Sequence, residues 1–272
     1  MLTGEKQFSR YIHREYILNK NMPTIVPLPT DSNVTDSNSS LINEVDIMFL
    51  VDLTGSYDDD LATFRKKSKE IVDSIKSTLP KDVVLKIGVS SFEDFPNTKY
   101  DKTSSDYSYH LDQNLTTNVD TFGKTLDNLV LGSGWDAPEA QLEGLYQTVK
   151  DPKVGWSKGA MKFIFLFTDA SFHDSDRDSD YPGHGSSSVK NVLSANNVSV
   201  IGFGSGYIPE DLSNISDATF LLNSDSSGVV DKIKDLIMSI PGSSIDISRS
   251  IRYKDLITSP MYDSSYLGKP NK

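Results

Sequence analysis

The stretch VDIMFLVDLTGSYDDDL, residues 45–61, decides how this chain is read. Six of its first seven residues are apolar, too continuous a run for a strand with one wet face, so it predicts a strand covered on both sides. The next ten residues carry four aspartates, a threonine and a serine. The strand ends at Asp52, and the two-residue rhythm continues as Asp52, Thr54 and Ser56. Alternate side chains leaving a strand can converge on one point, and hard oxygens at that density suit Mg2+, Mn2+ or Ca2+. A local explanation competes with this one. Ser56 and Asp58 to Asp60 stand where a helix begins, and such residues satisfy its free N–H groups and its macrodipole.

Two further segments bear on the choice. MKFIFLFTDASFH, residues 161–173, is a second apolar run closing on an aspartate, Asp169. Parallel strands would bring Asp52 and Asp169 to one sheet edge, where two carboxylates repel unless a cation lies between them. In GSGWDAPEAQ, residues 132–141, Asp136 and Glu139 form an acid-x-x-acid pair beside Pro138. By itself that pattern reads as a helix start, with Pro138 in the first turn and Asp136 as cap.

Working outward, strand-like and helix-like segments alternate. VDIMFLVD, VVLKIGVSSF, MKFIFLFTD, VSVIGFG and a short TFLLN read as strands. DDLATFRKKSKEIVDSIKSTL, NVDTFGKTLDNLV, APEAQLEGLYQTV, SSVKNVLSANN and SGVVDKIKDLIMSI read as helices. This order predicts an α/β, Rossmann-like doubly wound fold: a mostly parallel central sheet with helices on both faces, binding ligands at the carboxyl ends of its strands. Residues 1–43 read as an N-terminal extension and linker, since residues 20–43 are rich in Pro, Ser, Asn, Thr and Asp without a sustained period. The folded domain is expected over residues 44–242, with residues 243–272 as a C-terminal extension holding one further strand at 244–249.

Across its 272 residues the chain has a formal net charge of −11 and no cysteine. The charge argues against nucleic acid or an anionic membrane surface as partner. The missing thiols exclude disulfides, thiolate zinc sites and cysteine nucleophiles. No apolar run is long enough to span a bilayer, and the charged first twenty residues do not resemble a signal peptide.

Taken together, these segments resemble a von Willebrand factor A (vWA) domain, and more narrowly the I-like domain of integrin beta subunits. The metal-ion-dependent adhesion site (MIDAS) of that family begins D-x-S-x-S, and DLTGS matches it with Thr54 at the middle hydroxyl. Two adjacent aspartates follow as Asp59 and Asp60, and the D-[AS]-P-E motif stands as DAPE at 136–139. VGW at 154–156, FTDASFH at 167–173, DYP at 180–182 and DSS at 225–227 agree in order. The resemblance implies a central site of Asp52, Thr54, Ser56, Glu139 and Asp169, holding Mg2+ or Mn2+, with an open coordination position near Ser56 and Tyr57. It implies an adjacent Ca2+ site from Asp59, Asp60, the Ser56 carbonyl and backbone near Ser224. It also implies a third site from Asp94, Asp136, the Pro138 carbonyl and Glu139. Two departures stand out. Gly134 replaces the asparagine that would help to build the third site, and NTKYDKTSSDYSYH is shorter than the disulfide-closed insertion of integrin beta chains.

The function implied is a non-enzymatic, cell-surface or secreted module that captures an Asp or Glu of a protein partner through the open metal position. The alternative is an intracellular vWA assembly subunit working beside an ATPase. Other motifs add little. The alternating aspartates of HDSDRDSDYPGHG lack the glycine and glutamate of an EF-hand, and read as a solvated acidic loop. GFGSGY does not make G-x-G-x-x-G, and reads as a flexible turn. Thr54 occupies the place where a haloacid-dehalogenase-like phosphatase needs its second aspartate.

Overall fold

The computed structural model describes residues 44–102, 105–134 and 138–222, all within one of the two units into which the chain divides, residues 41–272. Among the described residues six strands form the main sheet: β1 (Glu44–Asp52), β2 (Val84–Phe92), β3 (His110–Thr116), β5 (Met161–Thr168), β7 (Val198–Ser205) and β8 (Ala218–Leu222). Their order is β3-β2-β1-β5-β7-β8, parallel except for the edge pair β2–β3. A separate two-residue bridge joins β4 (Pro138–Glu139) in parallel to β6 (Ser171–Phe172).

The sheet is α/β and mostly parallel, as the apolar strands predict. Residues of β1 alternate between two cores. Ile47, Phe49 and Val51 pack with Phe64, Ile71, Val72 and Ile75 of α1 (Asp58–Thr78) and with Phe122 and Leu126 of α2 (Val119–Asn128). Met48 and Leu50 pack on the other face with Leu142, Leu145 and Val149 of α3 (Gln141–Lys150) and with Val189 and Leu193 of α4 (Ser186–Ala195). Each such side chain contributes roughly 1.5–3 kcal/mol when fully buried. A strand that fills two cores at once has no room for polar alternation, which explains the nearly continuous apolar run.

Two elements differ from the sequence reading. β3 arises from HLDQNLT, whose inward residues Gln113 and Leu115 alternate with wetter ones; it pairs antiparallel with β2 through two register shifts. Edge strands carry a weaker apolar signal than central ones, so this one was legible only as loop. The segment APEAQ does not open a helix either: α3 starts at Gln141, and Pro138 and Glu139 lie in β4. Glu139 is therefore outside the first helical turn, in extended backbone. The last expected helix, 227–240, and the strand at 244–249 lie outside the described residues, as do the bounds of the terminal extensions.

The chain runs from β1 outward through β2 and β3, then returns to the other side of β1 to build β5, β7 and β8. The strand order thus reverses between β1 and β5, and the crevice at their carboxyl ends is where such sheets bind ligands. Val51 is in register with Phe167, so Asp52 and Thr168 leave that crevice side by side.

Candidate metal centre

Asp52 closes β1 and is fully buried. Its Oδ1 accepts from Thr54 N at 3.0 Å and from Thr54 Oγ1 at 2.7 Å, and its Oδ2 accepts from Thr168 Oγ1 at 2.8 Å. All three donors are neutral. Burial pushes the Asp52 carboxyl up to about 7; the Thr54 bonds work against this, and the charge of Asp169 adds to it.

Asp169 follows β5 directly and is half-buried, and Ser56 Oγ donates to its Oδ1 at 3.2 Å across 113 positions of sequence. Burial raises this carboxyl also. Thr54 Oγ1 and Ser56 Oγ stand 3.2 Å apart. Each hydroxyl has one hydrogen. With those hydrogens directed to Asp52 and Asp169, the two oxygens confront each other through lone pairs, an arrangement that a cation relieves and a further acceptor does not.

This geometry separates the two explanations of the acidic loop. Ser56 bonds Asp169 instead of capping a helix, and neither α1 nor the preceding 3-10 turn (Gly55–Tyr57) has a side-chain cap at its N-terminus. Asp58, Asp59 and Asp60 do occupy the first turn of α1, where the dipole favours negative charge. Burial, then the charges of Asp169 and Asp59, raise the Asp60 carboxyl. Asp60 thus lies within electrostatic reach of Asp169 while serving the helix, and Asp59 stands beside it in the same turn. Ser56 is exposed, whereas Tyr57 is fully buried and its hydroxyl meets Ser205 Oγ at 3.1 Å. Of these two, only Ser56 opens to solvent.

Glu139 arrives from a third segment. It is 2% exposed, and its carbonyl accepts from His173 N at 3.0 Å. A Cβ built on Gly134 would lie 2.9 Å from Thr54 Cβ and 3.4 Å from Glu139 Oε1, so Thr54 and Glu139 flank one point. Gly134 takes φ +64°, and glycine meets both the conformation and the crowding. Of the expected central set, Asp52, Thr54, Ser56 and Asp169 are linked by hydrogen bonds, and Glu139 adjoins Thr54 across Gly134.

Asp94, expected in a third site, is fully buried just past β2. Its Oδ1 accepts from Phe95 N at 2.7 Å and lies 3.4 Å from the Tyr181 hydroxyl, while Oδ2 is 3.5 Å from His173 Nε2. Pro138 lies in β4. Asp136 and Ser224 fall outside the described residues.

Among the described residues, no three His, Asp or Glu side chains converge closely enough to hold an ion by themselves. The donor set here is different, two carboxylates and two hydroxyls, and hard cations coordinate neutral oxygens alongside carboxylates. The fit is favourable on charge. Among the described residues Asp52 and Asp169 form no ion pair, so none of those residues supplies a cation that compensates the two acidic groups of the crevice.

Several supporting residues carry no motif of their own. Thr168 Oγ1 accepts from Gln141 Nε2 at 2.9 Å and from Ala170 N at 3.1 Å, which aims its hydrogen at Asp52. Asp106 accepts from Ser133 Oγ at 2.9 Å and Gly134 N at 2.8 Å, holding the loop whose Ser133 carbonyl accepts from Gly55 N. Glu93 packs under Gly132, and burial with the charge of Asp106 pushes its carboxyl up to about 8. Only the position of Thr168, directly before Asp169, could have suggested its role. The alternating aspartates after His173 are not simply solvated: Asp174 is 5% exposed and accepts from Ser186 N at 3.0 Å, and Asp176 accepts from Ser187 N at 2.7 Å, both at the start of α4.

Residues 42–180 match the family described as integrin beta chain VWA domain. Integrin beta pat-3 of Caenorhabditis elegans is 30% identical over 146 residues, covering 47% of this chain and 17% of that protein. Integrin beta-PS of Drosophila melanogaster is 27% identical over 139 residues, covering 47% of this chain and 16% of that protein. The match therefore spans about a sixth of those relatives' length. Among solved structures, proximal thread matrix protein 1 from the mussel byssus, with a zinc-occupied MIDAS motif, aligns at TM-score 0.51 and 14% identity. That alignment covers 72% of this chain and 46% of the mussel protein, and it supports the fold. With half of its length matched by the family, the chain belongs to the integrin beta chain VWA domains.

Proposed function

We propose that this chain is a divalent-cation-dependent binding module of adhesion type, in which Asp52, Thr54, Ser56, Asp169 and Glu139 hold the cation and a partner's Asp or Glu completes its coordination. The observation that carries the reading is the convergence of Asp52, Thr54, Ser56 and Asp169 at the β1–β5 crossover, with one carboxylate buried and two hydroxyl oxygens 3.2 Å apart. A bound divalent cation would supply a Lewis-acid vertex for an incoming carboxylate. The chain's own residues do the rest. Thr168 fixes the Asp52 carboxylate, Ser56 fixes that of Asp169, and the exposure of Ser56 leaves one side of the cluster open to a partner.

Mg2+ or Mn2+ suits the central cluster, because its donors are hard oxygens and neutral hydroxyls make up half of the bonded set. Ca2+ is assigned to the adjacent position of Asp59 and Asp60, with Ser224 backbone, and to a third position of Asp94, Asp136, Pro138 and Glu139. The zinc held by the MIDAS motif of the mussel protein is in keeping with a divalent ion at this point of the fold. We assign the role to binding without turnover, to residues 44–242 as the module flanked by extensions 1–43 and 243–272, and to the cell surface or the secreted compartment. Among the described residues no helix is long and apolar enough to cross a membrane.

The test is capture of the chain on an immobilised, end-capped peptide containing a single aspartate, in Mg2+ or in EDTA. Retention in Mg2+ that disappears in EDTA, and that Asp169→Ala abolishes, is the expected result. Retention indifferent to EDTA would remove the cation from the account.

A further inference from the structure

Where β5 and β7 leave the sheet they run side by side, Thr168 opposite Gly204, so the chain beyond β7 turns next to Asp169. Ser205 ties this turn to Tyr57, the neighbour of Ser56, through the 3.1 Å contact of their hydroxyls. Gly206 takes φ +68°, Tyr207 N donates back to Ser205 O at 2.7 Å, and a Cβ at Gly204 would overlap the Tyr207 carbonyl. Both glycines are needed for the chain to fold back in this way. The result is that Tyr207 and Ile208 face outward, 57% and 39% exposed. Among the described residues they are the one adjacent pair of large apolar side chains exposed to that degree, Val84 and Val130 being single. The Tyr207 hydroxyl is raised by burial and then by the charges of Asp169 and Asp211, which places the ring within electrostatic reach of the candidate centre.

The same rim is acidic. Asp169 and Asp211 act electrostatically on Tyr207, Asp169 acts on Asp60, and all three aspartates are half-buried. Once one partner carboxylate is held, this ring repels a second acid beside it, while the aromatic and aliphatic surface attracts an uncharged side chain. We infer that Tyr207 and Ile208 form an apolar subsite beside the metal centre, which receives the apolar side chain next to the captured Asp or Glu of a partner segment. The inference rests on the capture reading above and names the sequence context that reading leaves open.

The full chain is tested against three end-capped peptides, Gly-Leu-Asp-Leu-Gly, Gly-Ser-Asp-Ser-Gly and Gly-Asp-Asp-Asp-Gly, each in Mg2+ and in EDTA. The leucine peptide should bind about tenfold more tightly than the serine peptide, the effect of partly burying one apolar side chain, and the triple-aspartate peptide should bind most weakly. The double variant Tyr207→Ser, Ile208→Ser should lose the leucine preference yet keep serine-peptide binding within about twofold. Val84→Ser, at the far end of the sheet, should keep the preference. A leucine preference that survives the double variant, or is absent from the wild type, overturns the subsite alone. Absence of Mg2+-dependent binding by any peptide overturns the capture reading, and the subsite with it.

Discussion

Asp52 offers the sharpest quantitative prediction, because its carboxyl is fully buried and its surroundings push it up to about 7, against an ordinary value of 3.8. The folded state therefore holds this proton more tightly than the unfolded chain. Its contribution to stability is full below about pH 4 and is lost as pH rises through about 7. The whole span of about 3 pH units corresponds to roughly 4 kcal/mol, and the part falling between pH 5 and pH 8 to about 2–3 kcal/mol. For a domain of this size that amounts to a fall in Tm of about 5–10 °C. Thermal unfolding in EDTA at pH 5 and pH 8 measures it, with Asp52→Asn as the reference, since other buried acids also titrate. The wild type should lose about 2–3 kcal/mol more than the variant over this interval, and millimolar Mg2+ at pH 8 should restore the wild type only. Equal pH dependence in the two proteins would refute the argument that a buried, uncompensated Asp52 charge sets the stability of the cation-free crevice.

Thr168→Val removes the hydroxyl that orients Asp52 and should cost about 1–3 kcal/mol in urea unfolding, with weaker Mg2+ affinity than the wild type. Asp106→Ala frees Ser133 and Gly134 from their 2.9 and 2.8 Å bonds; a loss of about 2–3 kcal/mol and faster amide exchange at Gly134 are expected. Gly134→Ala forces a side chain into φ +64° against Thr54 and should cost about 1–3 kcal/mol, partly recovered in the double variant with Thr54→Ser. Glu93, raised to about 8, gives stability that is full below its ordinary 4.5 and lost as pH rises through about 8. Melting curves of Glu93→Gln between pH 6 and pH 9 should consequently be flatter than those of the wild type.

The central strands were legible because burial on both faces leaves a nearly continuous apolar run, and the carboxylates at their ends were legible because each closes such a run. Asp52 and Asp169 stand out on that ground alone. What joins them was harder to read. Ser56 bonding Asp169 across 113 positions depends on strand order, and the sequence suits a capping serine equally well. β3 escaped notice because an edge strand half-faces water and keeps polar residues inside its span. Glu139 sits in a two-residue bridge to Ser171–Phe172 that no local propensity specifies, so its segment reads as a helix start. Asp106, Glu93 and Thr168 act through backbone amides and neighbouring acids, contacts that exist only once the loops have packed.

The central claim is that oxygens from β1, the loop after it and the end of β5 share one divalent ion. Titration with Mn2+, followed by the electron paramagnetic resonance of the free ion, measures this directly in the wild type and in Asp52→Ala and Asp169→Ala. A saturable Mn2+ site is expected in the wild type, weakened at least tenfold by either substitution, the loss of one charged ligand from a hard-cation site. Identical Mn2+ binding in all three proteins would contradict it.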